Sequence, residues 1–180
     1  MARTKRVQKY YRRKHDWSTR ISNIGGAQSV APNAKAIIYY NLCQNPAQTD
    51  TTVSNKYTVK NVDLQLEVSV ANESGGNGLL ENFQVFICYI PQGYIPTGTP
   101  SAYENVPFDH PEWIMTHRYI GCPLGDNSTS YLPLHIKSRL ARKLDTGDRV
   151  VMIILGANQG TSSNTTIDYR GLVKYNTKAN

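Results

Sequence analysis

A chain of 180 residues, 39% hydrophobic and 18% charged, has the size and make-up of one folded domain with a core of its own. Its formal charge of +7 arises wholly in the first twenty residues, MARTKRVQKYYRRKHDWSTR, where eight lysines and arginines face the single carboxylate of Asp16; beyond them twelve basic and twelve acidic side chains cancel. No apolar run approaches membrane-spanning length, no signal-peptide core follows Met1, and three cysteines (Cys43, Cys88, Cys122) without CxxC spacing exclude a disulfide framework, so a cytosolic or nuclear compartment is expected.

Twelve tyrosines, thirteen glycines and nine prolines favour strands joined by turns. Gly25-Gly26 reads as a flexible joint, dividing an arm over 1–24 from a domain over 25–180. AKAIIYYNLC (34–43) reads as the first strand, followed by a polar loop. In YTVKNVDLQLEVSVA (57–71), Val62, Leu64, Leu66, Val68 and Val70 face one way and Asp63, Gln65, Glu67 and Ser69 the other. Tyr57 and Val59 are out of phase with that set, which places a bulge near Lys60-Asn61. NESGGNGLLEN is a loop, and FQVFICYI (83–90), apolar on both faces, is a central strand.

The connection PQGYIPTGTPSAYENVPFDHPEWIM carries five prolines, a length usually functional or interfacial. Asp109, Pro111 and Glu112 near its end signal one or two helical turns. HRYIGC (117–122) and YLPLHIKS (131–138) are strands, the latter at an edge because of Pro133. A short strand over 140–144, the turn DTGD, the doubly apolar RVVMIILGA (149–157) and TIDYRGLVKY (166–175) complete the chain. In the last, Ile167, Tyr169, Val173 and Tyr175 share a face. With no helix-length periodicity outside the arm, the fold class expected is all-β: a single eight-stranded jelly-roll β-sandwich with a basic N-terminal arm. The immunoglobulin alternative lacks its Cys–Trp–Cys pattern.

Catalytic chemistry is missing. His15, His110, His117 and His135 form neither HxH nor HExxH, and GGNG at 75–78 lacks the GK[ST] of a phosphate loop. Asp145 and Asp148 flank a tight turn that could hold calcium between subunits. Otherwise no metal, cofactor, small-molecule substrate or enzymatic activity is expected.

The arm points to nucleic acid. Arg3, Lys5, Arg6, Lys9, Arg12, Arg13, Lys14 and Arg20 suit phosphate neutralisation with counterion release. Tyr10, Tyr11 and Trp17 offer faces on which unpaired bases stack, or rings that pack against the sheet. Val7, Tyr10, Tyr11 and Trp17 also fall at helical spacing, and the KR…RRK clusters resemble an import signal. A second basic patch, KSRLARK, brings Lys137, Arg139, Arg142 and Lys143 either to the nucleic-acid surface or to the acidic loops of a neighbour.

YIPQGYIPTGTP, HPEWIMTHRYIG, SRLARKLDTGDRVVMIILGAN and the ending YRGLVKYNTKAN, in that order, resemble capsid proteins of the circular Rep-encoding single-stranded DNA (CRESS-DNA, circovirus-like) viruses. The arm is shorter and less arginine-dense than in circoviruses proper. The resemblance implies self-assembly into a sixty-subunit T=1 icosahedral capsid, a homo-oligomer with the arm inside, packaging circular single-stranded DNA. It implies location in the virion and, during assembly, the host nucleus; it specifies neither receptor nor import factor. Carried onto this sequence, it gives strands B (34–43), C (57–71), D (83–90), E (117–122), F (131–136), G (137–144), H (149–157) and I (166–175). The jelly-roll order BIDG–CHEF then puts loops 44–56, 91–112 and 156–165 at one end, around the fivefold axis. The alternatives are a non-capsid protein of the β-barrel or sandwich kind that binds single-stranded nucleic acid, and the coat protein of a small satellite RNA virus.

Overall fold

The computed structural model describes residues 17–45, 56–72, 80–94, 103–121, 130–159 and 164–179. Within them the chain forms β1 (Ser18–Val30), β2 (Lys35–Gln44), β3 (Tyr57–Asn72), β4 (Leu80–Ile90), β5 (Ile114–Gly121), β6 (Ser130–Ser138), β7 (Arg142–Leu144), β8 (Arg149–Asn158) and β9 (Thr165–Ala179). All pairings are antiparallel. One sheet runs β1-β9-β3-β6, with β7 also pairing with β3; the other runs β2-β8-β4-β5. These are the B-I-D-G and C-H-E-F sheets of a jelly roll, with β1 as strand B.

The strand lettering read from the sequence therefore shifts by one. Residues 34–43 are strand C rather than B, 57–71 are D, and 83–90 are E; of the segment read as E, the described residues 117–121 belong to F. Strand G is β6, whereas β7 is a separate short piece. The shift originates at Gly25-Gly26, which is no joint but the middle of β1, so seven residues assigned to the arm lie in the sheet. β1 is an edge strand whose residues are mostly exposed, so STRISNIGGAQSV lacks an apolar alternation to reveal it. Gly26 has a packing reason: a Cβ there would lie 2.5 Å from Tyr169 Oη, whose ring fills that space.

The shift also rearranges the loops. β8 begins at Arg149 opposite Gln44 and Ile90, so connections 45–56, 91–113 and 145–148 share one pole. Val30 and Asn72 both oppose Thr165, so 31–34, 73–79 and 159–164 share the other. The proline-rich connection and loop 156–165 are thus at opposite ends, not together.

Other expectations agree with the structure. The β3–β9 register shifts between Lys60 and Asp63, with Asn61 at φ 54°, a left-handed conformation that asparagine tolerates. β4 and β8 are interior strands, and Pro133 lies on the edge strand β6. Helical turns form at α1 (Val106–Asp109) and as a 3-10 turn over Pro111–Trp113, but His110, not Asp109, precedes that turn and no side chain caps it. β4 starts at Leu80, earlier than the loop reading allowed.

Between the sheets lies the main core, including Val62, Leu64, Leu66, Phe83, Ile87, Met152, Ile154 and Val173. A second apolar cluster lies on the other face of the β2-β8-β4-β5 sheet, where Ile37, Phe86, Cys88, Ile90, Val151 and Ile153 pack with Tyr103 and Val106 of the long connection. At the pole of that connection, Asp148 is buried and its carboxylate accepts from Tyr89 Oη (2.7 Å) and from the backbone N–H groups of Gln92 and Asp145 (both 2.9 Å). Asn45 N–H donates to Asp148 O at 2.9 Å, so one residue ties three connections together. Both Asp148 oxygens thus already serve protein donors.

Burial, reinforced by the Asp148 charge, pushes Tyr89 up to about 12; burial and the Cys43 thiol do the same for Tyr175. Both phenols hold their protons more tightly folded than unfolded, so their contribution is complete below pH 10 and is lost as pH rises towards 12. Urea unfolding should show a falling midpoint over that interval, with a smaller fall in Tyr89→Phe. Gly171 gives a steric test, because a Cβ there would lie 2.0 Å from Gln65 O on the neighbouring strand. Gly171→Ala should cost at least ~1–3 kcal/mol through overpacking. Gly93→Ala, with nothing within 4 Å of the new methyl, should unfold within about 0.5 kcal/mol of the parent.

Candidate nucleic-acid interface

The outer face of the β1-β9-β3-β6 sheet is built by alternation on β3 and β9. Val59, Val62, Leu64, Leu66, Ile167, Tyr169 and Val173 point into the core, which leaves Lys60, Asp63, Gln65, Glu67, Arg170, Leu172, Lys174 and Lys178 on the opposite side. The bulge between Lys60 and Asp63 keeps both outward although three positions separate them.

The register arranges the outward side chains in rows. Thr58 lies between Lys143 of β7 and Lys178 of β9. In the next row Lys60 opposes Asn176, which opposes Thr19. In the third, Asp63 lies between Lys137 and Lys174, and Lys174 opposes Ile21. Five lysines and one carboxylate therefore occupy the half of the face where β1 begins. Further along, Glu67 opposes Arg170 and Ser69 opposes Asp168, so the far half is mixed.

The one carboxylate in the lysine half is already engaged. Asp63 Oδ1 lies 2.6 Å from His135 Nε2, and Oδ2 lies 3.4 Å from Lys137 Nζ. Its slight burial would raise its pKa, but the His135 and Lys137 hydrogen bonds outweigh that and hold it below the usual carboxylate range. Lys60 Nζ sits 3.8 Å above the centre of the Trp17 ring. Beside the lysines, Gln65, Glu67, His135, Arg170 and Leu172 line an open depression of about 650 Å³ over Gly171.

Arg3, Lys5, Arg6, Lys9, Tyr10, Tyr11, Arg12, Arg13 and Lys14 lie outside the described residues, as does Cys122. Trp17 is partly buried, with the Lys60 ammonium over its ring. Arg20 is exposed on β1 opposite Tyr175, on the other side of the strand from the lysine rows. The patch KSRLARK divides. Lys137 and Lys143 join the outer face, Arg139 is exposed in the turn, and Arg142 reaches the opposite way, donating from Nη2 to Glu112 O at 2.6 Å and approaching the Tyr89 ring. Lys60, Lys174 and Lys178 were not singled out from the sequence, although the phase of Ile167, Tyr169 and Val173 already put Lys174 on the outward side.

No protein-family model matches the chain, and no curated protein does. Among solved structures, a bacterial lipoprotein from Bacteroides thetaiotaomicron aligns over 87% of this chain and 88% of its own, at 8% identity and a TM-score of 0.38. The empty head of turnip yellow mosaic virus aligns over 87% and 79%, at 14% identity and a TM-score of 0.27. The 60-mer BFDV capsid protein aligns over 89% and 94%, at 12% identity and a TM-score of 0.21. Two of the three are viral shell proteins and one is not, and likeness at this level carries no function.

The Trp17–Lys60 contact is measurable. A double-mutant cycle of Trp17→Ala and Lys60→Ala, followed by urea unfolding, should return a coupling of about 0.5–1 kcal/mol. Zero coupling would mean that the ring is not held under the ammonium in solution.

Proposed function

We propose that this chain is a non-enzymatic viral capsid protein of the circovirus-like kind. Its jelly roll self-assembles into a closed T=1 shell of sixty subunits, and its basic arm packages circular single-stranded DNA in the virion after assembly in the host nucleus. The observation that carries this reading is the separation of charge. Residues 18–180 carry thirteen basic and twelve acidic side chains and are nearly neutral, while +6 of the net +7 stands in residues 1–17, the arm leading to the edge strand of one sheet. A neutral domain packs against copies of itself without self-repulsion, while the arm neutralises phosphate. The four sequence segments that resemble such capsid proteins add to it. On the revised strand lettering, the end assigned to the fivefold axis is the pole of connections 31–34, 73–79 and 159–164, and the proline-rich connection lies at the opposite pole.

Each part of this reading has a measurable outcome. Purified protein elutes as megadalton particles rather than at its monomer mass of 20.2 kDa. Cargo extracted from virions is DNase-sensitive and single-stranded; RNase-sensitive cargo would overturn the DNA assignment and leave the shell. Deleting residues 2–16 removes nucleic acid with the fold intact by circular dichroism. Deleting 2–20 also removes the β1 residues that pair with Tyr175–Thr177, and lowers stability. The arm makes binding salt-sensitive: roughly 6–8 phosphates per arm at about 0.7 ion each contribute about −4 to −6 to the log–log slope.

A further inference from the structure

The arm does not leave the domain into empty solvent. Its last described side chain, Trp17, lies flat beneath Lys60, and Ser18 opposes Thr177, between Asn176 and Lys178 on β9. The chain thus enters β1 beside the lysine half of the outer face. Lys60, Lys143, Lys174 and Lys178 come from three different strands and are brought together only by the register. They span about 10 Å across β7, β3 and β9 and about 14 Å along β9.

Two further features fit a strand of nucleic acid. The sole carboxylate among these rows, Asp63, is held by His135 and Lys137, so it does not oppose the remaining ammonium groups. Lysine is a compact point charge that needs no fixed approach angle, which suits an irregular phosphate backbone better than a shaped partner. Beside the lysines, Ile21 is 64% exposed and Leu172 is 43% exposed, an unusual position for large apolar side chains on an open sheet. They offer apolar surface to bases whose phosphates sit on the lysines. The face is thus basic, open and continuous with a segment whose own chemistry is phosphate binding.

We propose that single-stranded nucleic acid held by the arm continues onto this sheet, where Lys60, Lys143, Lys174 and Lys178 bind its phosphates and Ile21 and Leu172 contact its bases. This rests on the nucleic-acid reading of the arm above, and it adds a second, structured half to that site. The arm captures the strand; the sheet then sets where it runs relative to the domain.

The test uses the full-length protein, freed of nucleic acid, and oligo(dT) as the probe. Replacing the four lysines by glutamine should make the log–log salt slope shallower by about 2–3, because each single-strand phosphate that a lysine neutralises contributes about 0.7 to it. A parallel variant with Arg3, Lys5, Arg6 and Lys9 changed to glutamine reports on the arm. Should the quadruple sheet variant fold poorly, lysine acetylation of the wild-type chain followed by mass spectrometry reads the same interaction. Oligo(dT) should protect Lys60, Lys143, Lys174 and Lys178 at least several-fold more than Lys35, which is engaged by Glu104 elsewhere. An unchanged slope in the sheet variant, with a reduced slope in the arm variant, would overturn the sheet site and leave the arm reading standing. Wild-type slopes in both variants would overturn both. Protection of the four lysines in assembled particles before any oligo(dT) is added would assign the face to a subunit interface and overturn the proposal.

Discussion

One sheet of this protein is apolar on both of its faces, and most of the architecture follows from that. Along β8, Val150, Met152 and Ile154 enter the core between the sheets, while Val151, Ile153 and Leu155 face the other way. β4 repeats the pattern with Val85 and Ile87 on one side and Phe86, Cys88 and Ile90 on the other. Leaving a Val or Ile in water forfeits roughly 1.5–3 kcal/mol each, so such a sheet requires two covers. The β1-β9-β3-β6 sheet supplies one. The described part of the proline-rich connection supplies the other: Tyr103 stacks on Tyr39 at 4.1 Å, Phe108 meets the edge of Phe86, and Val106 is buried. The described part of the connection, over 103–108, therefore has a packing cause.

The same constraint divides the labour between the two sheets. With its outer face occupied by its own chain, the β2-β8-β4-β5 sheet has less bare surface to offer. The outer face of the other sheet carries no such cover among the described residues, and most of its outward positions are charged or polar, with Ile21 and Leu172 as exposed apolar exceptions. At Gly171, β9 runs against Gln65 of β3 too tightly for any side chain. An uncovered, lysine-bearing sheet face beside a basic arm is what remains when the second core lies on the far side.

How much of this can be read from the sequence depends on whether the signal runs along a strand or across strands. The alternation of 62–70, the doubly apolar runs 83–90 and 149–157, the bulge at Lys60-Asn61 and the edge position of Pro133 are all local, and each is present in the structure. β1 escaped because an edge strand buries little: among its thirteen residues only Ile24 and Val30 are buried, and two glycines look like a hinge when their neighbour Tyr169 is unknown. That single omission displaced the strand letters from B through the β6 segment, left H and I in place, and moved the proline-rich connection to the wrong pole. The lysine rows escaped for a related reason. KSRLARK is dense along the chain, yet Arg142 points away; Lys60, Lys174 and Lys178 are isolated along the chain and converge only through pairing.

The position of β1 also governs how a load on the arm reaches the domain. β1 is hydrogen-bonded in the sheet through β9 alone, in an unbroken antiparallel register from Ser18 opposite Thr177 to Val30 opposite Thr165. Because that register is unbroken, a pull directed along β1 would load all thirteen pairs together in shear instead of opening them one at a time from an end. β9 is in turn held by β3 along nearly its whole length, with only the bulge at Lys60–Asp63 interrupting the ladder. The edge strand that looks most dispensable by burial is thus the mechanical link between the charge-bearing arm and the core. Its Gly26, which lets the Tyr169 ring lie flat across it, locks that link to the hydrophobic interior.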